Sequence, residues 1–241
     1  MKVSIVLPVY NEEGGLIPFL NEIRSQLVER YQEIDWEIIL VDDGSSDESV
    51  QQVHTKTPLD LFLITLTRNF GHQAAIEAGY RQATGDWVVT MDSDFQHPID
   101  MVYEFLRQAL NDNTDIVQGV RITEDSEPRF RRLVSKIAYY ILGIGNKSIV
   151  SHAGDFRVVS RRALEDLLSL SDPQKIHRFI FQELGYKVKY LEFVSTKRRF
   201  GESKYGFKQS LNLFREGLVT HSRMPLAILL FFGFLTFLVS L

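Results

Sequence analysis

Two periods alternate through the first half of the chain. Short apolar, β-branched runs at 3–9, 36–41, 59–66, 87–91 and 116–120 predict strands, and segments of helical period at 16–28, 47–53, 73–82 and 101–110 fall between them. Repeated strand and helix units of this kind predict an α/β fold, a mostly parallel sheet layered between helices. Beyond residue 125 the pattern loosens. Residues 129–142, 161–170 and 174–184 keep a helical period, 187–194 reads as a strand, 197–206 as a basic loop, and 207–220 as an amphipathic helix. No internal repeat is present, and no Pro/Gly/Ser-rich linker separates two soluble domains.

The fourth strand pattern runs straight into Asp92-Ser93-Asp94-Phe95-Gln96-His97-Pro98. A buried strand delivers both carboxylates at its carboxyl end, where open α/β sheets bind ligands. Carboxylates this close repel unless a cation lies between them, and hard oxygen ligands suit Mg²⁺ or Mn²⁺ rather than zinc. Gln96 could add a neutral oxygen. An ion held by two or three side chains keeps positions open for phosphate oxygens, which points to a phosphorylated or nucleotide substrate. The structural alternative for Asp94 is a plain N-cap before a helix opened by Pro98.

Three more polar clusters end the preceding strands: Pro8-Val9-Tyr10-Asn11-Glu12, Asp42-Asp43-Gly44-Ser45-Ser46-Asp47 and Arg68-Asn69-Phe70-Gly71-His72. Singly, each has a local explanation, with Asp43-Gly44 a turn, Asp47 an N-cap and Gly71 a position of unusual dihedrals. Parallel strands place all four on one rim, which turns alone explain poorly. No Gly-x-Gly-x-x-Gly follows the first strand and no P-loop occurs anywhere, so a dinucleotide or P-loop site is disfavoured. Acidic rim groups suit a base and ribose, with the metal covering the phosphates. His72, His97 and His152 show no ligand spacing on one helix and receive no metal role.

Charge is segregated along the chain. Residues 1–127 carry 23 acidic and 8 basic side chains, a net −15, while residues 128–241 carry 8 acidic and 19 basic, a net +11. The basic half leads into an uncharged apolar tail, residues 224–241, which as a helix would cover about 27 Å, close to a hydrocarbon core. Anionic lipid is therefore favoured over nucleic acid as the partner. A buried terminal helix is the alternative for the tail, and a solvated face is the alternative to a membrane-surface role for 129–142. Arg215 and Arg223, with Lys204 and Lys208 upstream, place the preceding domain on the cytoplasmic side. The tail stops without a polar flank, as if truncated in or just after a first transmembrane segment. The amino end lacks a signal-peptide core. The absence of cysteine excludes disulfides, Cys-ligated zinc and thiol catalysis.

The rim motifs Pro8-Val9-Tyr10-Asn11-Glu12, Asp42-Asp43-Gly44-Ser45-Ser46-Asp47 and Asp92-Ser93-Asp94-Phe95-Gln96-His97-Pro98, together with Gly154-Asp155-Phe156-Arg157 and Gly201-Glu202-Ser203-Lys204-Tyr205, resemble family 2 glycosyltransferases of the GT-A fold. Within them the chain is similar to the polyprenyl-phosphate glycosyltransferases, the group of dolichol-phosphate mannose synthase and bacterial undecaprenyl-phosphate glucosyltransferases. The resemblance covers essentially the whole chain, in order. It implies a GT-A domain over 1–206, a juxtamembrane helix over 207–223 and a transmembrane segment over 224–241. It also implies that Pro8, Tyr10, Glu12, Asp42, Asp92 and Ser93 line the nucleotide-sugar site, and that Asp92, Asp94 and Gln96 bind Mg²⁺ or Mn²⁺. Asp155 matches the proposed catalytic base, with Asp94 beside it in the catalytic pair. Arg131, Ser135, Arg157, Arg199 and Lys204 match positions around the acceptor phosphate. The Gln-x-x-Arg-Trp motif of processive synthases is absent, so the resemblance implies transfer of one sugar.

The implied activity is inverting, metal-dependent transfer from a nucleotide-sugar to a polyprenyl phosphate at the cytoplasmic membrane face. By analogy with bacterial enzymes the donor is a UDP-sugar and the assembly a homotetramer. A phosphate monoester with a second pKa near about 6 needs little help losing a proton, so Asp155 has an orienting role open to it beside that of a base. Two other classes compete with a transferase. A nucleotidyltransferase should carry a Gly-rich phosphate loop with Lys or Arg, where Asn11-Glu12-Glu13 stands here. A membrane-tethered nucleotide-sugar binding module would have no need of the acidic pair and the basic acceptor group.

Overall fold

Strand β1 (Lys2–Val9) is buried from Val3 onward, on both of its faces. Its odd-numbered residues Val3, Ile5, Leu7 and Val9 pack with helix α1 (Leu16–Ile23) and helix α4 (Met101–Asn111), while Val6 packs with helix α3 (His72–Gln82) and helix α5 (Arg161–Ser169). Period-two burial on both faces forces a three-layer arrangement. The remaining elements are a π-helical turn (Arg24–Val28) that continues α1, β2 (Asp35–Asp42), α2 (Ser49–Lys56), β3 (Phe62–Thr65), β4 (Trp87–Thr90), β5 (Ile116–Ile122), β6 (Ala153–Ser160) and β7 (Val188–Val194). The computed structural model describes residues 1–57, 59–122, 153–170, 184–196, 199 and 200, and from the remainder residues 177, 180, 181, 229, 230, 233 and 236–238.

The seven strands form one sheet in the order β3-β2-β1-β4-β6-β5-β7. The pairs β3/β2, β2/β1, β1/β4 and β5/β7 are parallel, and β6 runs antiparallel to both β4 and β5. The expected mostly parallel α/β sheet is thus present with one reversed strand in its middle. That strand has no counterpart among the strands predicted above. Its run, Ala-Gly-Asp-Phe-Arg-Val-Val-Ser, hides behind a charge, because Arg157 is buried to 1% exposure within a strand that periodicity alone reads as polar. The predicted α2 start also shifts: the helix begins at Ser49, and the Asp47 carboxylate accepts the Ser49 amide from just outside it.

Close backbone approach seats α3 on the sheet. A Cβ on Gly79 would stand 2.3 Å from Val6 Cγ1 and 3.1 Å from Val41 Cγ2, so any larger residue would lift the helix away. Contacts divide the chain into a unit of Met1–Ile122 with His152–Glu202 and a second of Thr123–Ser151 with Ser203–Leu241. Nearly all of the second unit lies outside the described residues, including the predicted helices 129–142 and 207–220. Of the predicted helix 174–184, residues 177, 180 and 181 are described as helical. Among the described residues no helix is long and apolar enough to cross a membrane. In the predicted span, Leu229, Leu230, Phe237 and Leu238 are helical and exposed, and the segment otherwise lies outside the description.

Candidate active site

The loops after β1, β2 and β3 are tied into one rim by side chains that accept or donate across them. Asn11, at φ +53, donates its amide to Ser45 Oγ at 2.8 Å, and its Oδ1 accepts the Ser46 amide at 2.7 Å. The Glu12 amide reaches Ser49 Oγ at 2.8 Å, the Glu13 amide reaches Asp47 Oδ2 at 3.1 Å, and Glu13 Oε2 accepts the Glu48 amide at 3.0 Å. Asp43, nearly buried, accepts the Phe70 and Gly71 amides at 2.7 and 3.0 Å. Burial pushes its carboxyl up, against the pull of those two amides toward the charged form. Gly44 closes the set: at φ +71, a Cβ there would lie 2.4 Å from the Arg68 carbonyl carbon.

Within this rim Asp42 is 1% exposed and its Oδ1 accepts the Ser45 amide at 3.0 Å. Tyr10, exposed, follows Val9, the β1 residue paired with Asp42; the Glu12 carbonyl starts the turn into α1, and the Pro8 carbonyl accepts Ser93 Oγ at 3.2 Å. The β1, β2 and β4 ends therefore converge, as parallel strands require.

The acidic loop after β4 is tightly folded. Asp94 Oδ1 accepts the Gln96 amide at 3.0 Å across Phe95, which takes φ +66. Helix α4 does not begin until Met101, so Asp94 closes a local turn and does not cap the helix. His97 is buried and stacked on Phe156 with centroids 4.8 Å apart, and its Nδ1 accepts the Asp92 amide at 2.9 Å. It packs in the core and also orients Asp92.

Asp155 reaches the same place from β6. Thr90 pairs with Arg157, and continuing that antiparallel register sets Asp92 opposite Asp155. Like charges directly across adjacent strands repel. Between them lies His72, the first residue of α3, with Nε2 at 3.4 Å from Asp92 Oδ1 and 3.3 Å from Asp155 Oδ2. Burial opposes charge on the ring, but the hydrogen bond to Asp155 and the fields of both carboxylates outweigh it and the repulsion from Arg157, and push its pKa up to about 9. Gln73 Nε2 donates to Asp155 Oδ2 at 2.8 Å, and Arg157 Nη2 donates to Asp155 Oδ1 and, at 3.1 Å, to the Gly154 carbonyl. Among the described residues, Arg157 Nε and Nη1 are buried with no hydrogen-bond partner.

The donor set fits a divalent ion. Asp92 Oδ1 is buried and accepts no hydrogen bond among the described residues, which leaves a hard anionic oxygen for a cation. No group of three or more His, Asp or Glu side chains is arranged among the described residues to hold a metal alone. Two carboxylates completed by substrate oxygens is the pattern expected of Mg²⁺ or Mn²⁺. Gln96 contributes backbone bonds here, its amide to Asp94 and its carbonyl to Ser195 Oγ at 3.0 Å.

The expected acceptor group is only partly described. Arg199 bonds Glu22, and its guanidinium stands 4.8 Å over the Phe95 ring, so it braces the acidic loop from outside. Arg131, Ser135 and Lys204 lie outside the described residues. The residues that sequence reasoning left without a site role are His72 and Gln73. His72 ended the third rim cluster and Gln73 opened the predicted helix 73–82, but their contacts to Asp155 span 83 and 82 residues, which no local pattern encodes.

The chain matches the Glycosyl transferase family 2 description over residues 4–168. The undecaprenyl-phosphate 4-deoxy-4-formamido-L-arabinose transferase of Pectobacterium carotovorum is 34% identical over 236 residues, covering 96% of this chain and 71% of its own. The prophage bactoprenol glucosyl transferase homolog of Escherichia coli is 30% identical over 236 residues, covering 97% and 76%. The glucosyl-3-phosphoglycerate synthase of Mycobacterium tuberculosis, solved with Mn²⁺, UDP-glucose and phosphoglyceric acid, superposes with a TM-score of 0.62 at 18% identity, over 89% of this chain and 76% of that one, and shares its fold. With the rim, the acidic loop and the matched span in agreement, the chain is a glycosyltransferase belonging to glycosyl transferase family 2, with relatives named for bactoprenol and undecaprenyl phosphate.

Proposed function

We propose that this glycosyltransferase moves one sugar, with inversion, from a UDP-sugar to a polyprenyl phosphate at the cytoplasmic face of a membrane. The observation that carries the reading is the meeting of Asp92 and Asp155 on His72, at 3.4 and 3.3 Å, with Arg157 behind them. A carboxylate suited to a donor-bound cation and a carboxylate backed by a buried guanidinium share one point, where a diphosphate and a second phosphate would have to meet. The names of the relatives support a polyprenyl phosphate as that second anion. The exposed apolar helical residues of the tail support a span over 224–241 that holds the enzyme at its lipid substrate.

In this reading Pro8, Tyr10, Glu12, Asp42 and Ser93 line the nucleotide, and Asp92, Asp94 and Gln96 hold Mg²⁺ or Mn²⁺. When bound, the ion offsets the charge that develops on the departing diphosphate. By their motif positions, Arg131, Ser135, Arg199 and Lys204 would serve the acceptor phosphate. Arg157 is too deeply buried to meet it as placed here, so it acts through Asp155. Both oxygens of Asp155 already accept hydrogen bonds, from Arg157 and from Gln73, which favours the orienting role over that of a base. The acceptor is largely dianionic at neutral pH and attacks without a general base.

The test is direct. The full chain in detergent is incubated with labelled UDP-sugars and undecaprenyl phosphate, with Mn²⁺ and with a chelator. A lipid-linked sugar formed only with the metal is the expected result, and labelled donor that is never transferred, whatever the sugar, refutes the reading.

A further inference from the structure

His72 is placed by three independent anchors. Asp43 takes the two amides that precede it, which fixes the loop at Phe70 and Gly71. Gly79, one helical stretch later, lets α3 settle against Val6 and Val41. Gln73, its neighbour, donates to Asp155 with Nε2 and accepts the His177 amide with Oε1 at 3.3 Å. A histidine in the first turn of a helix has room to swing outward; here its side chain is 26% exposed and its Nε2 faces two carboxylates from different strands. Local helix stability needs none of this, since the Gly71 cap of α3 makes no side-chain hydrogen bond and the His72 ring turns to carboxylates on other elements.

We propose that His72 is a positioning residue for sugar transfer: by bridging Asp92 and Asp155 it holds the donor-side carboxylate at a fixed separation from the acceptor-side carboxylate. The inference rests on the transfer reaction proposed above and adds the element that sets its reach. Asp92 comes from the loop after β4 and Asp155 from β6, and the His72 ring touches both, its Nε2 3.4 Å from Asp92 Oδ1 and 3.3 Å from Asp155 Oδ2. Without it the two carboxylates lose the ring that spaces them, and a misplacement of about 1 Å between reacting groups can cost about 10²-fold in rate. Binding of the nucleotide alone uses the rim after β1, β2 and β4, on the donor side of Asp155, and does not depend on that separation.

The experiment compares H72A, H72N and H72Q in the full chain. It measures kcat, KM for each substrate, UDP binding with Mn²⁺ by calorimetry, and thermal unfolding. Glutamine keeps an N–H donor at a reach close to that of Nε2, whereas asparagine falls short of it. The expected result is a kcat lowered about 10- to 100-fold in H72A and H72N, with UDP affinity changed by less than about threefold. In H72Q, kcat recovers to at least about threefold above H72N. Equal kcat in H72Q and H72N overturns the proposal even if H72A does not fold, as does a loss of UDP binding equal to the loss of kcat. An active wild type with an equally active H72A overturns this inference alone. A wild type that transfers no sugar overturns the functional reading and this inference with it.

Discussion

On one side of β4 the strands β1, β2 and β3 run parallel, and their loops are sewn together by neutral and anionic side chains that accept backbone amides. On the other side β6 runs against its neighbours and enters the rim from the opposite direction, bringing Asp155 and Arg157 with it. The loops of the first half are bonded to one another across β1, β2 and β3, so they form a preformed cradle. The second leaves a buried guanidinium with two nitrogens unpartnered among the described residues and sets two carboxylates face to face, touched by a histidine from the first half. Rigidity and charge are thus assigned to different halves. Nucleotide recognition suits the first, and the handling of charge during transfer suits the junction.

Removing the carboxylates at that junction should have the strongest effect. The D92N/D94N pair should lower kcat by about 10³-fold and abolish UDP binding that depends on Mn²⁺, while thermal unfolding moves little, because the parallel half remains intact. Activity at the level of the wild type would place the cation elsewhere.

The far end of the same sheet offers a contrast in stability. Glu37, buried where β2 begins, would have its carboxyl raised by burial, but hydrogen bonds from Ser4, from Thr84 and from Lys2 outweigh this and hold its pKa at about 2. Since that lies below the ordinary 4.5, its contribution is fully present above about pH 4.5 and is lost as pH falls through about 2. Its size is on the order of 3 kcal/mol. Acid unfolding of E37Q should lack that limb, and transfer by E37Q at neutral pH should keep the metal and donor dependence of the wild type. An acid limb unchanged by the substitution would contradict the assignment.

A finer distinction concerns Asp155. D155N should reduce kcat about 10- to 30-fold by the same factor at every pH between about 6.5 and 8.5, because the acceptor carries its own charge there. A deficit that shrinks as pH rises would restore Asp155 as a base.

The weakest effect is expected at the outer brace. The Arg199–Glu22 pair is more than half exposed on its arginine side, and such pairs contribute about 0–1 kcal/mol, so R199A should barely shift unfolding. If Arg199 also meets the acceptor, KM for the lipid phosphate should rise about threefold or more in neutral detergent, where headgroup attraction is absent. An unchanged KM there would confine Arg199 to bracing Phe95.

Much of this molecule can be read before folding is considered. Strand and helix periods, the four rim clusters, the acidic pair after β4 and the charge segregation all arise from residues within a few positions of one another, and their physics is local. The buried Val-Ile-Leu runs of β1 and β2 even dictate a sheet covered on both faces. The antiparallel course of β6 lay beyond such reasoning, because Arg157 breaks its apolar pattern and only pairing with β4 and β5 makes the segment a strand. From that single reversal follow the opposition of Asp92 and Asp155, the burial of Arg157, and the need for His72 between them. These are contacts across tens of residues, set by which strand edge was free and by how closely Gly79 allows a helix to approach, and neither condition is written in any one stretch of the chain.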